Sequence, residues 1–188
     1  MINTSNMIRG GGAGDRVVVN LGCGPRPMAG AINVDRCQFD GVDLILDLEN
    51  GLAGSGIPKG SVSEIHAVHV LEHIRNLVPL MTDCLTVLKE GGTMHITVPY
   101  DLSYGAWQDP THVRAFNERS WAYFTEWASY LGWSEWRFDL VSGVLRKNDT
   151  RKEYEFGCRR SFRPRAIDEM SVVLRKVAGQ QAGGALRP

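Results

Sequence analysis

No stretch of 18 consecutive apolar residues occurs in the chain, so no segment is expected to cross a membrane as a helix. The first fifteen residues, MINTSNMIRGGGAGD, have no apolar core, so no secretory leader is expected and the cytoplasm is the default location. The four cysteines, Cys23, Cys37, Cys84 and Cys158, form no CxxC pair and match no zinc spacing. They read as reduced thiols, with Cys84 in the core. Internal repeats are absent, and low complexity is confined to GGGAG near the start and GQQAGGALRP at the finish. Net charge is absent too, with 21 basic residues against 21 acidic ones. The balance is uneven along the chain. Residues 1–140 carry 10 Lys/Arg against 16 Asp/Glu, and residues 141–188 carry 11 against 5. A basic C-terminal third is either a solvated face or a surface for an anionic partner, nucleic acid included.

What is present is ordinary globular composition. The 188 residues are 43% apolar and 22% charged, which excludes a wholly unfolded chain and fits one domain. Residues 16–177 are expected to form it, with 1–15 and 178–188 as tails. Arg16–Leu21 (RVVVNL) is a β-branched run that stops at a glycine loop and predicts a buried strand. Ala31–Asp35 and Val42–Leu48 predict a second and a third strand, each with an acid near its end. Residues 49–63 contain four glycines and a proline and read as loop. Glu64–Val70 predicts a fourth strand. From Ile74 to Leu88 the apolar residues recur on one helical face, and Gly91-Gly92 is expected to end that helix. Thr93–Val98 predicts a fifth strand. Residues 100–116 read as a long loop. Asn117–Trp133 predicts a helix with Asn117 as its N-cap. Phe138–Leu145 and Met170–Val177 predict two more strands, and residues 146–169 between them have no clear assignment. The continuous apolar character of strands 1, 4 and 5 predicts a parallel sheet covered on both faces, an α/β doubly wound fold. Ligands of such sheets bind beyond the carboxyl ends of the strands.

The chemistry-bearing residues sit at those ends. Asn20-Leu21-Gly22-Cys23-Gly24-Pro25 takes a strand into GxG, where glycine lets the backbone turn tightly and approach a ligand. Pro25 and Pro27 follow, so a dinucleotide fingerprint with its third glycine and helix is not present, and a P-loop lacks its GK[ST]. Asp35 closes strand 2, where a carboxylate can accept both hydrogens of a ribose diol. Asp47 precedes Leu48 at the end of strand 3, where an acid can accept from an exocyclic amine beside an apolar surface. Either acid alone is an ordinary turn residue. The succession of glycine loop, acid and acid at the ends of consecutive strands is what points to a nucleoside.

The strings VVNLGCGPRP, INVD, LILDLENGL, IHAVHVLEHI and LTVLKEGGTMHITVP, in this order, resemble the class I S-adenosylmethionine-dependent methyltransferases, type 11-like. The resemblance covers residues 16–100 well and 101–130 more loosely. It implies a Rossmann-like sheet of about seven strands, mostly parallel, with the last strand antiparallel. It implies S-adenosylmethionine as cofactor, with Leu21, Gly22, Cys23 and Gly24 at its methionine part and Asp35 at the ribose. Asp47 and Leu48 would meet the adenine, and His69 and Val70 would lie beside the cofactor. The links between strands 1 and 2 and between 2 and 3 are shorter than the roughly dozen residues of a usual parallel crossover, so the first helices are expected to be reduced or missing. After strand 4 the chain has HVLEHI rather than the [DNS]PP[YF] string of related base-modifying enzymes, which directs the resemblance to small molecules or glycans.

Asp101–Phe116, DLSYGAWQDPTHVRAF, follows strand 5 and packs Tyr104, Trp107, Asp109, His112 and Arg114 into eleven residues. His112, with Asp109 nearby, is the candidate base, since an imidazole titrates near neutral pH. Arg114 could hold an anionic group bidentately, and Tyr104 and Trp107 could stack on a ring. His73, after Glu72, is a candidate for pocket lining or for a second base. His66, His69 and His73 raise the question of a metal, but His66 and His69 lie three apart on a predicted strand and point to opposite faces and His95 adds no partner, so no metal site is expected. The resulting expectation is methyl transfer to O or N of a small polar acceptor, a sugar or nucleotide-sugar by analogy. Two rivals stay open: a nucleic-acid-associated methyltransferase using the basic C-terminal third, and a non-catalytic cofactor-binding subunit. Oligomeric state is left undetermined.

Overall fold

Short β-branched runs separated by tight links leave the chain one way to satisfy its backbone, which is to pair the runs side by side. The computed structural model describes residues 16–147, 152–157 and 166–179. Strands β1 (Val18–Leu21), β2 (Ile32–Asp35), β3 (Leu44–Ile45), β4 (Val62–Val68), β5 (Leu88–Pro99), β6 (Trp136–Lys147), β7 (Lys152–Glu155) and β8 (Glu169–Ala178) form one sheet. Its order is β3-β2-β1-β4-β5-β8-β6-β7. The first five strands are mutually parallel. β8 runs antiparallel between β5 and β6, and β7 antiparallel on the outer edge of β6. This is the expected Rossmann-like α/β sheet, with eight strands rather than about seven. The extra strand, β7, comes from the stretch the sequence left unassigned. Residues 148–151 and 158–165 of that stretch, and both tails but for Ala178 and Gly179, lie outside the described residues.

Helix α1 (Leu77–Val87) buries Leu77, Leu80, Met81, Cys84, Leu85 and Val87 against the sheet. It ends earlier than the glycine pair implies. Leu88, fully buried, already pairs with Val62, so the chain enters β5 directly. Gly91 and Gly92 lie within β5, where the register shifts against β4. A Cβ at Gly92 would stand 2.9 Å from the Lys89 carbonyl oxygen, which no other residue tolerates. Buried Lys176 donates to the Leu88 carbonyl at 2.7 Å. The predicted helix over Asn117–Trp133 is instead two 3-10 segments, Glu118–Phe124 and Ala128–Leu131. Asn117 caps the first as expected, accepting from Arg119 N, with Ser120 completing a capping box. Bulky aromatics at i, i+3, Trp121 and Phe124, suit the eclipsed faces of a 3-10 turn. Trp133 donates to Thr82 of α1 at 3.0 Å and ties this region to the helix. No helix among the described residues is long and apolar enough to cross a membrane.

β3 is shorter than the predicted Val42–Leu48 because its acids are committed elsewhere. Asp43 accepts from Asn33 N at 2.8 Å, and Asp47 caps the 3-10 turn Leu48–Asn50. The links 22–31 and 36–43 contain no helix, as their length requires. A polar network holds them. Asn33 accepts from Asn20 Nδ2 at 3.0 Å and from Met28 N at 2.7 Å, and donates to the Met28 and Ala31 carbonyls. Both asparagines are buried.

The missing helices leave the two faces of the sheet unequal, against the expectation of cover on both. Ile65 and Ala67, opposite Met94 and Ile96, and these opposite Leu174 and Val172, are buried. The alternate residues Glu64, His66, Thr93, His95 and Thr97 are only half-buried. There Glu64 meets Arg16, His66 and His95, and the two imidazoles stack at 4.9 Å. Burial pushes the Glu64 carboxyl upward, but hydrogen bonds from Arg16 and His66 outweigh it and hold the pKa below the ordinary value.

Two outcomes follow from this arrangement. Asn33→Ala removes the hub and leaves Asn20 Nδ2 unpaired, so denaturant melts should show a loss of about 2–3 kcal/mol; a loss under about 0.5 would show that water replaces the network. A depressed carboxylate stabilises the fold above its unfolded pKa of about 4.3 and loses that contribution as pH falls through its folded pKa. Glu64→Gln should therefore lower stability at pH 7 by at most about 1 kcal/mol, because Arg16 is largely exposed. The variant should also flatten the decline on acidification, and parallel pH profiles for the two proteins would remove Glu64 from it.

Candidate functional site

The sheet reverses its order of connection between β1 and β4, and a cleft of about 540 Å³ opens at the carboxyl ends of these strands. Its narrow point is made by glycine. Gly22, at φ +59°, follows β1 so closely to Val70 that a Cβ there would stand 2.5 Å from Val70 Cγ2. Gly24, at φ +53°, donates its N–H to Asp35 Oδ2 at 2.8 Å, while Asp35 Oδ1 accepts from Cys37 N. Asp35 thus braces the glycine turn and lines the cleft at once, keeping one lone pair on each oxygen.

Beyond β3 the wall is Leu46, exposed Asp47, buried Leu48 and Glu49. Asp47 Oδ1 accepts from Glu49 N at 3.0 Å, which turns the chain back toward α1. The Glu49 carboxylate then receives Arg75 N at 2.8 Å and Asn76 N at 3.1 Å. Those N–H bonds, that of Arg75 foremost, hold its pKa below the usual range. An acidic side chain thereby satisfies free donors at the helix start.

The third wall follows β4. His69 has φ +54°, a left-handed conformation rare outside glycine and a sign of backbone held under constraint. Its ring lies between two carboxylates, Nε2 at 3.1 Å from Glu169 and Nδ1 at 3.4 Å from Glu72. Pairing with Glu72 raises its pKa above the ordinary histidine value; burial opposes this and Glu169 adds to it. Glu72 is 1% exposed. The His69 contact lacks hydrogen-bond alignment, and neither Glu72 oxygen accepts a hydrogen bond. His73, next along the 3-10 turn Leu71–His73, lines the cleft with Ile74 and Arg75.

The loop after β5 closes the far side. Val113 N donates to the Glu72 carbonyl at 2.9 Å, which fixes the loop to the turn. Pro110 and Thr111 line the cleft. His112 stands behind them with its side chain 8% exposed, its Nδ1 on the Ala106 carbonyl at 3.2 Å and its ring edge-on to His73 at 4.7 Å. Asp109 Oδ2 is 3.8 Å from His112 Nε2. Arg114 is half-buried and donates to the Arg75 carbonyl at 2.8 Å. Tyr104 and Trp107 are 59% and 71% exposed.

Of the residues singled out from sequence, Gly22, Asp35, Asp47, Leu48, His69, Val70 and His73 line the cleft together. Leu21, Cys23 and Gly24 shape it from behind; Leu21 is a fully buried strand residue, and Cys23 is buried with its N–H on the Val34 carbonyl. Asp109, His112, Arg114, Tyr104 and Trp107 do not line it. The lining residues missed from sequence are Arg36, Leu46, Glu49, Ile74, Arg75, Pro110 and Thr111. Pro110 and Thr111 belong to the loop the sequence singled out, but neither titrates, so chemistry alone points to their neighbours Asp109 and His112.

The glycine geometry is directly testable. A side chain at φ near +55° costs about 1–2 kcal/mol. Gly24→Ala meets open space and should lose about that much. Gly22→Ala adds the clash with Val70 and should lose more, as read by denaturant midpoints. Equal losses would mean that Val70 moves aside freely.

No protein-family model matches the chain, and no curated protein is similar to it in sequence. Solved structures are similar in fold. A SAM-dependent methyltransferase from Archaeoglobus fulgidus superposes with a TM-score of 0.58 at 16% identity, covering 86% of each chain. A putative type 11 methyltransferase from Sulfolobus solfataricus gives 0.52 at 16% identity over 97% of this chain and 94% of that one. Phosphoethanolamine N-methyltransferase 1 of Haemonchus contortus gives 0.58 at 12% identity over 93% of this chain and 41% of that one. With the cleft at the switch point and its glycine turn, these likenesses place the chain in the fold of the class I SAM-dependent methyltransferases.

Proposed function

We propose that this chain is an enzyme that transfers a methyl group from S-adenosylmethionine to an oxygen or nitrogen of a small polar acceptor. The observation that carries the reading is the close approach of Gly22 to Val70, with Asp35 and Asp47 on the adjoining wall. A side chain at position 22 would collide with Val70 and push this wall of the cleft aside, and two carboxylates beyond it face one cleft. This donor set fits a nucleoside that offers a ribose diol and an exocyclic amine. S-adenosylmethionine, when bound, supplies an electrophilic methyl group.

The chain's own residues do the rest. Asp35 holds its glycine turn and accepts from the diol. Asp47 accepts from the amine while Leu48 supplies apolar surface. His69 and Val70 border the middle of the cleft. His73 and Thr111 face the acceptor end, and His112 and Asp109 stand behind them; we assign this group the activation of the acceptor. Exposed Tyr104 and Trp107, on the same loop, are assigned to stacking on the acceptor, while Arg114 braces Arg75 and supports the wall. A sugar or nucleotide-sugar acceptor is carried over from the sequence resemblance and accords with a cleft of molecular size. Alignment of acceptor and methyl group contributes on the order of 7–11 kcal/mol in such a displacement.

A thermal melt tests the cofactor. At a hundredfold excess over its dissociation constant, S-adenosylmethionine should stabilise the chain by about 2.7 kcal/mol, a rise of roughly 5–10 °C, with NAD giving none. Asp47→Ala should keep the unliganded Tm within about 2 °C and weaken binding at least tenfold, the loss of about 1.4 kcal/mol for a charged hydrogen bond. Unchanged affinity would remove the adenine assignment. Asp35 is the poorer probe, because its removal also frees Gly24.

A further inference from the structure

Outside the nucleoside part of the cleft, one cluster of side chains is unexplained by packing. Glu72 is buried with neither carboxylate oxygen in an aligned hydrogen bond, and the His69 imidazole 3.4 Å from Oε1 compensates its charge on one side only. A buried polar group left so is costly unless something else completes it. One ligand atom each of Glu72, His73 and His112 lies within 4.8 Å of the other two. We propose that these three residues bind a divalent transition-metal ion at the acceptor end of the cleft.

The hydrogen bonds around the two imidazoles support this. The Ala106 carbonyl can only accept, so His112 Nδ1 donates to it, and Nε2, 3.8 Å from Asp109 Oδ2, is the nitrogen left for an ion. The Thr111 hydroxyl donates to Asp109 Oδ1 at 2.7 Å. That hydroxyl therefore accepts from His73 Nδ1 at 2.9 Å, and Nε2 of His73 is again the free nitrogen. Outer hydrogen bonds from Nδ1 to an oxygen are how metal-binding histidines are oriented. Asp109, through Thr111, belongs to that outer layer. Ligands on a tetrahedral ion stand roughly 3.4 Å apart, so binding draws the three side chains closer together.

Two imidazoles and one carboxylate suit zinc, cobalt, manganese or iron rather than magnesium or calcium. Three protein ligands leave positions open, and His73 lines the cleft, so the open side takes water or an oxygen of the acceptor. The ion then positions an oxygen-bearing acceptor and eases loss of its hydroxyl proton to solvent, in place of His112 acting as a base. This role rests on the methyl-transfer reading; the ion site itself does not.

The experiment is a cobalt titration of the full chain, stripped with chelator and dialysed, without S-adenosylmethionine. Visible absorption bands should grow to one equivalent of Co²⁺ and disappear when Zn²⁺ is added. Glu72→Gln and His73→Gln should each weaken binding about a hundredfold, and Thr111→Val about tenfold. Circular dichroism identifies any variant that fails to fold, and His73, only half-buried, is the safer of the two ligands to change. His66→Gln, in the other imidazole and carboxylate cluster, should change nothing. Absence of bands, or bands retained by a folded His73→Gln protein, would overturn the site. A chain that binds cobalt but gives no melting shift with S-adenosylmethionine would keep the site and lose the methyl-transfer reading.

Discussion

Everything at the ligand end of this sheet depends on Asn33 replacing a helix. A parallel crossover normally covers the sheet with a helix, which also satisfies its own backbone. Between Leu21 and Ile32 the chain is too short for one. Asn33 takes up the Met28 N–H and the Met28 and Ala31 carbonyls instead, and joins Asn20 on β1. The link is thereby held against the sheet edge, and the turn at Gly22 and Gly24 starts from a fixed point. Without that anchor Asp35, which spends an oxygen on Gly24, would lose its register to the cleft.

A second pair of ties joins the walls. Glu49 links the residue after Leu48 to the start of α1. Val113 links the acceptor loop to the carbonyl of Glu72. The turn Leu71–His73 is thus flanked by the loop on one side and, within three residues, by the Glu49 clamp on the other. The three carboxylates of the cleft wall, Asp35, Asp47 and Glu49, each hold backbone N–H groups as well as face the cleft.

The sheet was legible in the sequence because its strands announce themselves locally. VVVNL, INVD and TMHITV are short apolar runs that stop at glycine, acid or proline; the first two became strands within two residues of the reading, and the third ended within one residue of it but began five residues earlier, at Leu88. Of the seven lining residues found in advance, six stand within three residues of the carboxyl end of a strand, where topology decides their position, and His73 lies in the turn beyond β4. What failed was decided by distant partners. Gly91 and Gly92 look like a helix stop, yet Leu88 pairs with Val62, 26 positions earlier, and draws the chain into the sheet. The aromatics of Asn117–Trp133 have helical spacing, but Trp133 answers to Thr82. Glu72 and His112 meet across 40 residues, and no local pattern encodes that meeting. The unequal cover was written in the sequence, since Glu64, His66, Thr93, His95 and Thr97 alternate with Ile65, Ala67, Met94, Ile96 and Val98, a period that the reading of strands 4 and 5 as continuously apolar passed over.

The open face has a meaning for how such a chain can be altered. Glu64, His66, His95 and Thr97 form a polar pavement that no helix among the described residues covers. Lengthening the link 22–31 would give a helix somewhere to lie without moving a strand. It would have to take over the donors and acceptors that Asn33 now serves, and would need an apolar underside that this pavement does not match. The short links and the polar pavement therefore constrain each other: neither can change toward a helix-covered sheet unless the other changes with it.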